Sequence, residues 1–288
     1  MIWLIGNLGM LGTEVEALLR KQGLPYIASD KEVDITDQRQ LQQFASDSHL
    51  SWIINCSAYT AVDKAEDESE LAFKINADGP RNIAELAKNK GAKLIHISTD
   101  YVFDGIKKDA YVETDPPNPL GVYGTSKYEG EVGIAETLDA YFILRTAWLY
   151  GKQGSNFAYT MLRLFKERDE VRVVGDQYGS PTYAPDLAEA LLEIIRLNSE
   201  AYGIYHFANE GKISWHDFAC EIYRMVQQKD LLTKEVLIQR IVTQDYPTKA
   251  HRPQNSYLSK EKIKSTFNIA VRHWQAGLQD FFDAGEML

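Results

Sequence analysis

The sequence predicts an α/β protein: a doubly wound, mostly parallel sheet followed by a smaller mixed α/β lobe. Short apolar runs at residues 1–5, 51–56, 93–98 and 140–145 read as buried strands, and the stretches between them carry apolar residues at helical spacing. Strands that alternate with helices build a mostly parallel sheet with helices on its faces. After Gly151 the pattern changes to shorter strands, turn-rich loops and amphipathic helices. The expected division is therefore 1–150 for the first domain and 151–288 for the lobe, with a helix over 184–198 free to return and pack on the first domain.

Composition bounds the function. The chain has 288 residues, enough to bury a real core, with 44% apolar and 25% charged residues. A net charge of −10 argues against a nucleic-acid binder, which needs a basic face for phosphates. No run approaches the ~18 apolar residues of a membrane span. Cys56 and Cys220 are the only cysteines, with no CxxC and no Cys/His cluster at ligand spacing, which fits a reducing compartment. Residues 1–6 lack a basic n-region and do not read as a signal peptide, so the expected location is cytoplasmic.

The first strand runs into Gly6-Asn7-Leu8-Gly9-Met10-Leu11-Gly12, and a helix follows with Leu11, Val15, Leu18 and Leu19 on one face. A strand, a glycine turn and a helix open a dinucleotide-binding unit of the Rossmann type, where glycines let backbone approach a pyrophosphate at a helix N-terminus. The spacing here is GxxGxxG rather than GxGxxG. Residues 25–30 form the second strand and end in Asp30, placed to bond the adenosine ribose hydroxyls; its charge disfavours a 2′-phosphate and leans towards NAD. Asp34 falls near the adenine, and Thr36 or Asp37 caps the next helix.

The strand at 51–56 leads into residues 57–63, whose small side chains admit a flat ligand. The helix over 68–90 holds Asn76, a residue unfavourable in mid-helix unless backbone, water or solvent satisfies it. At the carboxyl end of the strand at 93–98, where open α/β sheets bind ligands, stand Ser98, Thr99 and Asp100. A proline-bearing loop leads to Tyr123 and Lys127, which share one helical face. An ammonium one turn from a phenol favours the phenolate and lowers its pKa, making an acid/base unit for carbonyl chemistry. Taken alone, the pair reads as a surface Tyr and a surface Lys at helical spacing. Thr99 at a strand end can converge with it on one carbonyl oxygen.

In the second half, helices are expected over 156–168, 186–196, 214–227 and 271–284, with Ser214 as an N-cap. Short strands are expected over 171–174 and 205–208, and Arg252-Pro253 opens an irregular segment before a small helix near 259–262.

These motifs carry a resemblance. The glycine turn, Ser98-Thr99-Asp100-Tyr101-Val102-Phe103-Asp104-Gly105 and Tyr123-Gly124-Thr125-Ser126-Lys127 resemble the extended short-chain dehydrogenase/reductases. Residues 55–66, 145–151, 177–182 and 252–258 are similar to the dTDP-4-dehydrorhamnose reductase branch. The resemblance implies reduction of the C4 ketone of dTDP-4-dehydro-L-rhamnose by NADPH or NADH, in dTDP-rhamnose biosynthesis. It implies Tyr123 as general acid, Lys127 as the residue that tunes Tyr123 and holds the nicotinamide ribose, and Thr99 as a hydroxyl donor to the carbonyl. The implied cofactor contacts are Gly6, Leu8, Gly9, Met10, Leu11, Gly12, Asp30, Asp34, Ile35, Ala58, Tyr59, Thr60 and Asn76, beside Tyr123 and Lys127. Asp100, Tyr101 and Trp148 would line the sugar pocket, and Arg252 and Asn255 are candidates for the diphosphate.

Some members of the branch bind Mg2+ through glutamates at a homodimer interface. Glu14 matches one such position, without a full set. Cys56 and Ser57 replace the alanines more usual there. Two other readings compete. A nucleotide-sugar epimerase or dehydratase would use the same Tyr-Lys unit with tightly held NAD, but Asp100 is not followed by a second acid. A non-catalytic subunit like the regulatory subunit of methionine adenosyltransferase would not require the intact Thr99, Tyr123 and Lys127.

Overall fold

The computed structural model describes residues 1–284. Six strands form one all-parallel sheet: β1 (Ile2–Ile5), β2 (Tyr26–Ser29), β3 (Trp52–Asn55), β4 (Lys93–Thr99), β5 (Tyr141–Thr146) and β6 (Gly203–His206). Their spatial order is β6-β5-β4-β3-β1-β2. The chain leaves β1 towards β2 and returns on the other side of β1 as β3. That reversal opens a crevice at the carboxyl ends of β1 and β3.

Both sheet faces are covered, so each strand is apolar on both sides. Alternate residues divide between two cores. Ile2, Leu4, Ile54 and Ile95 pack with Leu11, Val15 and Leu19 of the helix Met10–Lys21 and with Leu187, Leu191 and Ile194 of the helix Ala184–Arg196. Trp3, Ile5, Ile53 and Leu94 face the opposite core, with Ile83 and Leu86 of the helix Gly79–Lys90 and Ile134 of the helix Val122–Thr137. Each fully buried aliphatic side chain contributes about 1.5–3 kcal/mol, so these two layers hold the sheet's loops in register.

A third core joins the helices Phe157–Glu167, Trp215–Gln228 and Trp274–Asp283 over a parallel strand pair, Glu170–Val174 with Leu237–Ile241. Ser214 caps its helix in a reciprocal box with Asp217, as its position in the sequence suggests.

Two local expectations need correction. The strand placed in the lobe near 205–208 is β6, which completes the large sheet: His206 and Tyr205 are buried against β5 rather than in the third core. The helix over 68–90 is three consecutive pieces, Ser69–Phe73, a π-helical turn Lys74–Asp78 and Gly79–Lys90. Of the two N-cap candidates, Asp37 is the one that caps Gln38–Phe44, accepting from Arg39 N–H and Gln40 N–H.

Candidate active site

The crevice begins at the glycine turn. Gly6 sits at φ +79°, and a Cβ there would lie 2.8 Å from Ser57 N, so β1 and the β3 loop meet backbone to backbone. A Cβ on Gly12 would fall 2.0 Å from Gly6 O, so only glycine closes this turn. Gly9 is the N-cap of Met10–Lys21 and offers no side-chain partner to the first amides, and the first turn holds no acid. An anion fits that end, because the amides and the helix dipole both favour negative charge. Leu8 and Met10 lie at the turn's surface, whereas Leu11 turns into the core. At the end of β2, Asp30 accepts from Leu8 N–H at 3.1 Å and Lys31 N–H at 2.8 Å, which fixes its carboxylate beside the turn. Asp34 is occupied by Thr36, through its N–H and its hydroxyl. Ile35 is a core residue packed against Gly79.

Asn76 lies within the π-helical turn. Its Oδ1 accepts from Tyr59 N–H at 2.8 Å, and its Nδ2 donates to Tyr59 O at 3.0 Å and Ser126 Oγ at 3.1 Å. The side chain is buried with every bond made, and it ties the Ala58–Thr60 loop to the Tyr-Lys helix. Gly130 permits the close approach, since a Cβ there would lie 2.1 Å from Asn76 O. Asn76 thus positions the Tyr59 loop by backbone satisfaction, one of the roles open to it from sequence.

Thr99 ends β4, and Tyr123 and Lys127 lie one turn apart on Val122–Thr137. Thr99 Oγ1 accepts from Tyr101 N–H and donates to Asp100 Oδ1 at 3.0 Å. Tyr101 meets Tyr123 edge to face, centroids 5.5 Å apart. Burial pushes the Tyr123 phenol up to about 12, against the pull of a Thr99 hydrogen bond and with the Asp100 charge adding to the rise. Burial also pushes the Asp100 carboxyl up to about 6, opposed by hydrogen bonding from Ser256 and Thr99. Lys127 is itself buried. Burial pulls its amine down to about 8, against the opposing charge of Glu131. Its Nζ donates to Ile97 O at 2.7 Å and lies 3.2 Å from His96 Nε2. The Tyr123 shift thus runs opposite to the lowering expected from Lys127: Nζ is turned to β4, and desolvation of the phenol dominates.

The lobe closes the other side. Trp148 adopts φ +49°, a rare conformation for a bulky side chain, and stacks on Trp215 with centroids 3.5 Å apart. Phe157 continues the aromatic wall, 4.6 Å from Trp215. Arg252, a diphosphate candidate from sequence, spends its fork on Asp63, with Nη2 to Oδ2 at 2.8 Å. This pair clasps the lobe to the β3 loop, and the guanidinium holds the Asp63 carboxyl below its usual range. Asn255 Nδ2 donates to Lys107 O and Asp109 O, fastening the loop after β4.

Sequence reasoning missed five site-shaping residues. Glu66 Oε1 accepts from Val122 N–H at 2.9 Å and so caps the helix bearing Tyr123. Glu131 and Arg145 form a buried ion pair behind Lys127, with Nη2 to Oε2 at 2.6 Å. His96 sits beneath Lys127, and Trp215 meets Trp148. The available signal was polarity inside apolar runs, at His96 and Arg145 above all.

Glu14, the one residue matched to a Mg2+ position, gains no companions: among the described residues no group of three or more His, Cys, Asp or Glu is placed to hold a metal. Among the same residues, no helix is long and apolar enough to cross a membrane.

Comparison with known proteins agrees with the crevice. The family model described as the RmlD substrate binding domain matches residues 1–287. A dTDP-4-dehydrorhamnose reductase of Aggregatibacter actinomycetemcomitans is 42% identical over 278 residues, covering 94% of this chain and 95% of its own. A crystal structure of the Bacillus anthracis dTDP-4-dehydrorhamnose reductase in complex with NADP is 39% identical, covers 99% of both chains and superposes with a TM-score of 0.93. A Streptomyces venezuelae dTDP-glucose 4,6-dehydratase, at 16% identity and a TM-score of 0.83, shares the fold alone. On this footing the chain belongs to the dTDP-4-dehydrorhamnose reductase family.

Proposed function

We propose that this crevice reduces the C4 ketone of dTDP-4-dehydro-L-rhamnose, with Tyr123 as the proton donor, Thr99 as the hydroxyl on the carbonyl and Lys127 as the residue that supports Tyr123 and holds the nicotinamide ribose. The observation that carries the assignment is the convergence of Thr99 and Tyr123 at the carboxyl end of β4, beside the glycine turn. A bound reduced nicotinamide supplies the hydride to the carbonyl carbon.

Reduction needs an acid at the oxygen. A phenol held near 12 keeps its proton at neutral pH and delivers it to the oxygen as negative charge develops there. Thr99 stabilises the same oxygen by turning its hydroxyl from Asp100 Oδ1 towards the substrate. Trp148 and Trp215 offer an aromatic wall for a sugar ring, and Tyr101 and Asp100 border the same space. The open amide at Met10, the first residue of the helix, suits the cofactor's pyrophosphate. NADPH is the cofactor favoured here, on the strength of the NADP-bound B. anthracis relative. Asp30, committed to Leu8 N–H and Lys31 N–H, stands against a 2′-phosphate and is the residue to watch.

The test is direct. Purified protein is given dTDP-4-dehydro-L-rhamnose with NADPH and NADH in parallel, and nicotinamide absorbance is followed. Substrate-dependent oxidation is expected, faster with NADPH. Absence of oxidation with both cofactors overturns the assignment.

A further inference from the structure

We propose that Asn55 and His96 set the protonation state of Lys127, and that they are positioning residues for the Tyr123–Lys127 pair. The inference rests on the functional reading above, but its first test does not.

The argument is a donor–acceptor count along a buried chain. Ser57 N–H can only donate, and it lies 3.0 Å from Asn55 Oδ1; Ser57 Oγ lies 2.6 Å from the same atom. The Asn55 amide is thereby oriented, and its Nδ2 points at His96 Nδ1, 3.0 Å away. An amide nitrogen donates, so Nδ1 must accept and carry no proton. The neutral ring then bears its proton on Nε2, which faces Lys127 Nζ at 3.2 Å. A neutral amine satisfies this contact: its lone pair accepts from Nε2–H, and one of its own N–H groups donates to Ile97 O at 2.7 Å. An ammonium would instead set N–H against N–H. The network therefore disfavours charge on Lys127.

Asn55, His96 and Lys127 are all buried, so water does not relieve the conflict. Desolvation keeps His96 neutral, well below its usual pKa, and acts on Lys127 in the same direction. The other ionisable groups near Nζ are Cys56 from the end of β3 and Glu131 from its own helix. Cys56 is a neutral thiol, pushed up to about 12 by burial. Glu131 favours the ammonium, but its carboxylate is shared with Arg145 of β5 and Ser98 of β4. The lysine is thus poised between forms, and the imidazole tautomer biases it towards the amine.

Two measurements test this. In protein labelled with 15N-histidine, NMR at pH 7 should show one buried ring protonated at Nε2 and bare at Nδ1, its signals absent in His96→Gln. A ring protonated at Nδ1, or an imidazolium, overturns the proposal whatever the enzyme catalyses. The second measurement is the pH profile of kcat/KM in Asn55→Asp. The new carboxylate accepts from Nδ1–H, moves the ring proton and leaves Nε2 to accept from the ammonium. The alkaline limb should move up by about one pH unit, the scale of a neighbouring opposite charge. An unmoved limb in the folded variant overturns the proposal. The wild-type NMR result stands if that variant does not fold, and activity that survives Lys127→Ala would sink the functional reading while leaving the tautomer assignment intact.

Discussion

Glu131→Gln should be among the most destabilising single changes near the crevice. Glu131 and Arg145 are 2% and 1% exposed, and the guanidinium reaches both carboxylate oxygens, with Nε to Oε1 at 3.0 Å and Nη2 to Oε2 at 2.6 Å. Arg145 Nη1 already lacks a partner, and the guanidinium lies 5.0 Å from the centre of the Phe103 ring. The glutamine keeps the volume but leaves Arg145 as an uncompensated buried charge, which costs about 3–5 kcal/mol. A chain of this size loses about 2 °C of Tm per kcal/mol, so the midpoint should fall by roughly 6–10 °C. Glu131→Met with Arg145→Met removes both charges and should recover much of the loss, short of about 1–3 kcal/mol for the Ser98 hydroxyl left without its acceptor. The assay is thermal and urea unfolding of wild type, Glu131→Gln and the double variant. The reasoning also has a catalytic arm: removing the Glu131 charge lets the Lys127 pKa fall further, so the alkaline limb of kcat/KM moves down. A single-variant loss under about 1 kcal/mol, or a double variant no more stable than Glu131→Gln, would refute the account.

Tyr123→Phe should bind NADPH as tightly as wild type, measured by fluorescence titration, and lose on the order of 10²–10⁴ in kcat; near-normal turnover would sink the acid assignment. Gly12→Ala drives a Cβ to 2.0 Å from Gly6 O and should cost at least about 1–3 kcal/mol in urea unfolding. At Gly9 the same Cβ lies 3.4 Å from Gly6 O, so Gly9→Ala should leave Tm unchanged and weaken only NADPH affinity. Asp100 is pushed up to about 6 in the folded protein, so the fold prefers it protonated; stability is lost as pH rises from about 4 to about 6, roughly 3 kcal/mol in all, and Asp100→Asn should flatten that part of the unfolding curve. Glu66→Ala removes the acceptor of Val122 N–H and should cost about 1 kcal/mol, with kcat falling more than cofactor affinity.

The sequence made legible what is local and periodic. Strand ends, the glycine turn and the spacing of Tyr123 and Lys127 are all set within a few residues, and the structure brings Gly6, Asp30, Ala58 and Thr99 to one edge of the sheet. It did not reveal which side chains spend their polarity on the protein itself. Arg252 looks like a phosphate ligand until Asp63, far away in the chain, is seen to hold its fork. His96 is one polar residue in an apolar strand, and its meaning depends on two neighbours, Asn55 across the sheet and Lys127 on a helix above it. Alternation along β4 does send His96 and Ser98 to one face, yet only the crossing of the Tyr-Lys helix decides that one meets Lys127 and the other Glu131. The same limit applies to Tyr123. Helical spacing puts a lysine one turn away, but spacing does not say where the ammonium points. Because Lys127 Nζ meets Ile97 O and His96 Nε2 instead, burial rather than the neighbouring charge governs the phenol, and the pair enters the reaction as a loaded acid beside a lysine poised between its charged and neutral forms.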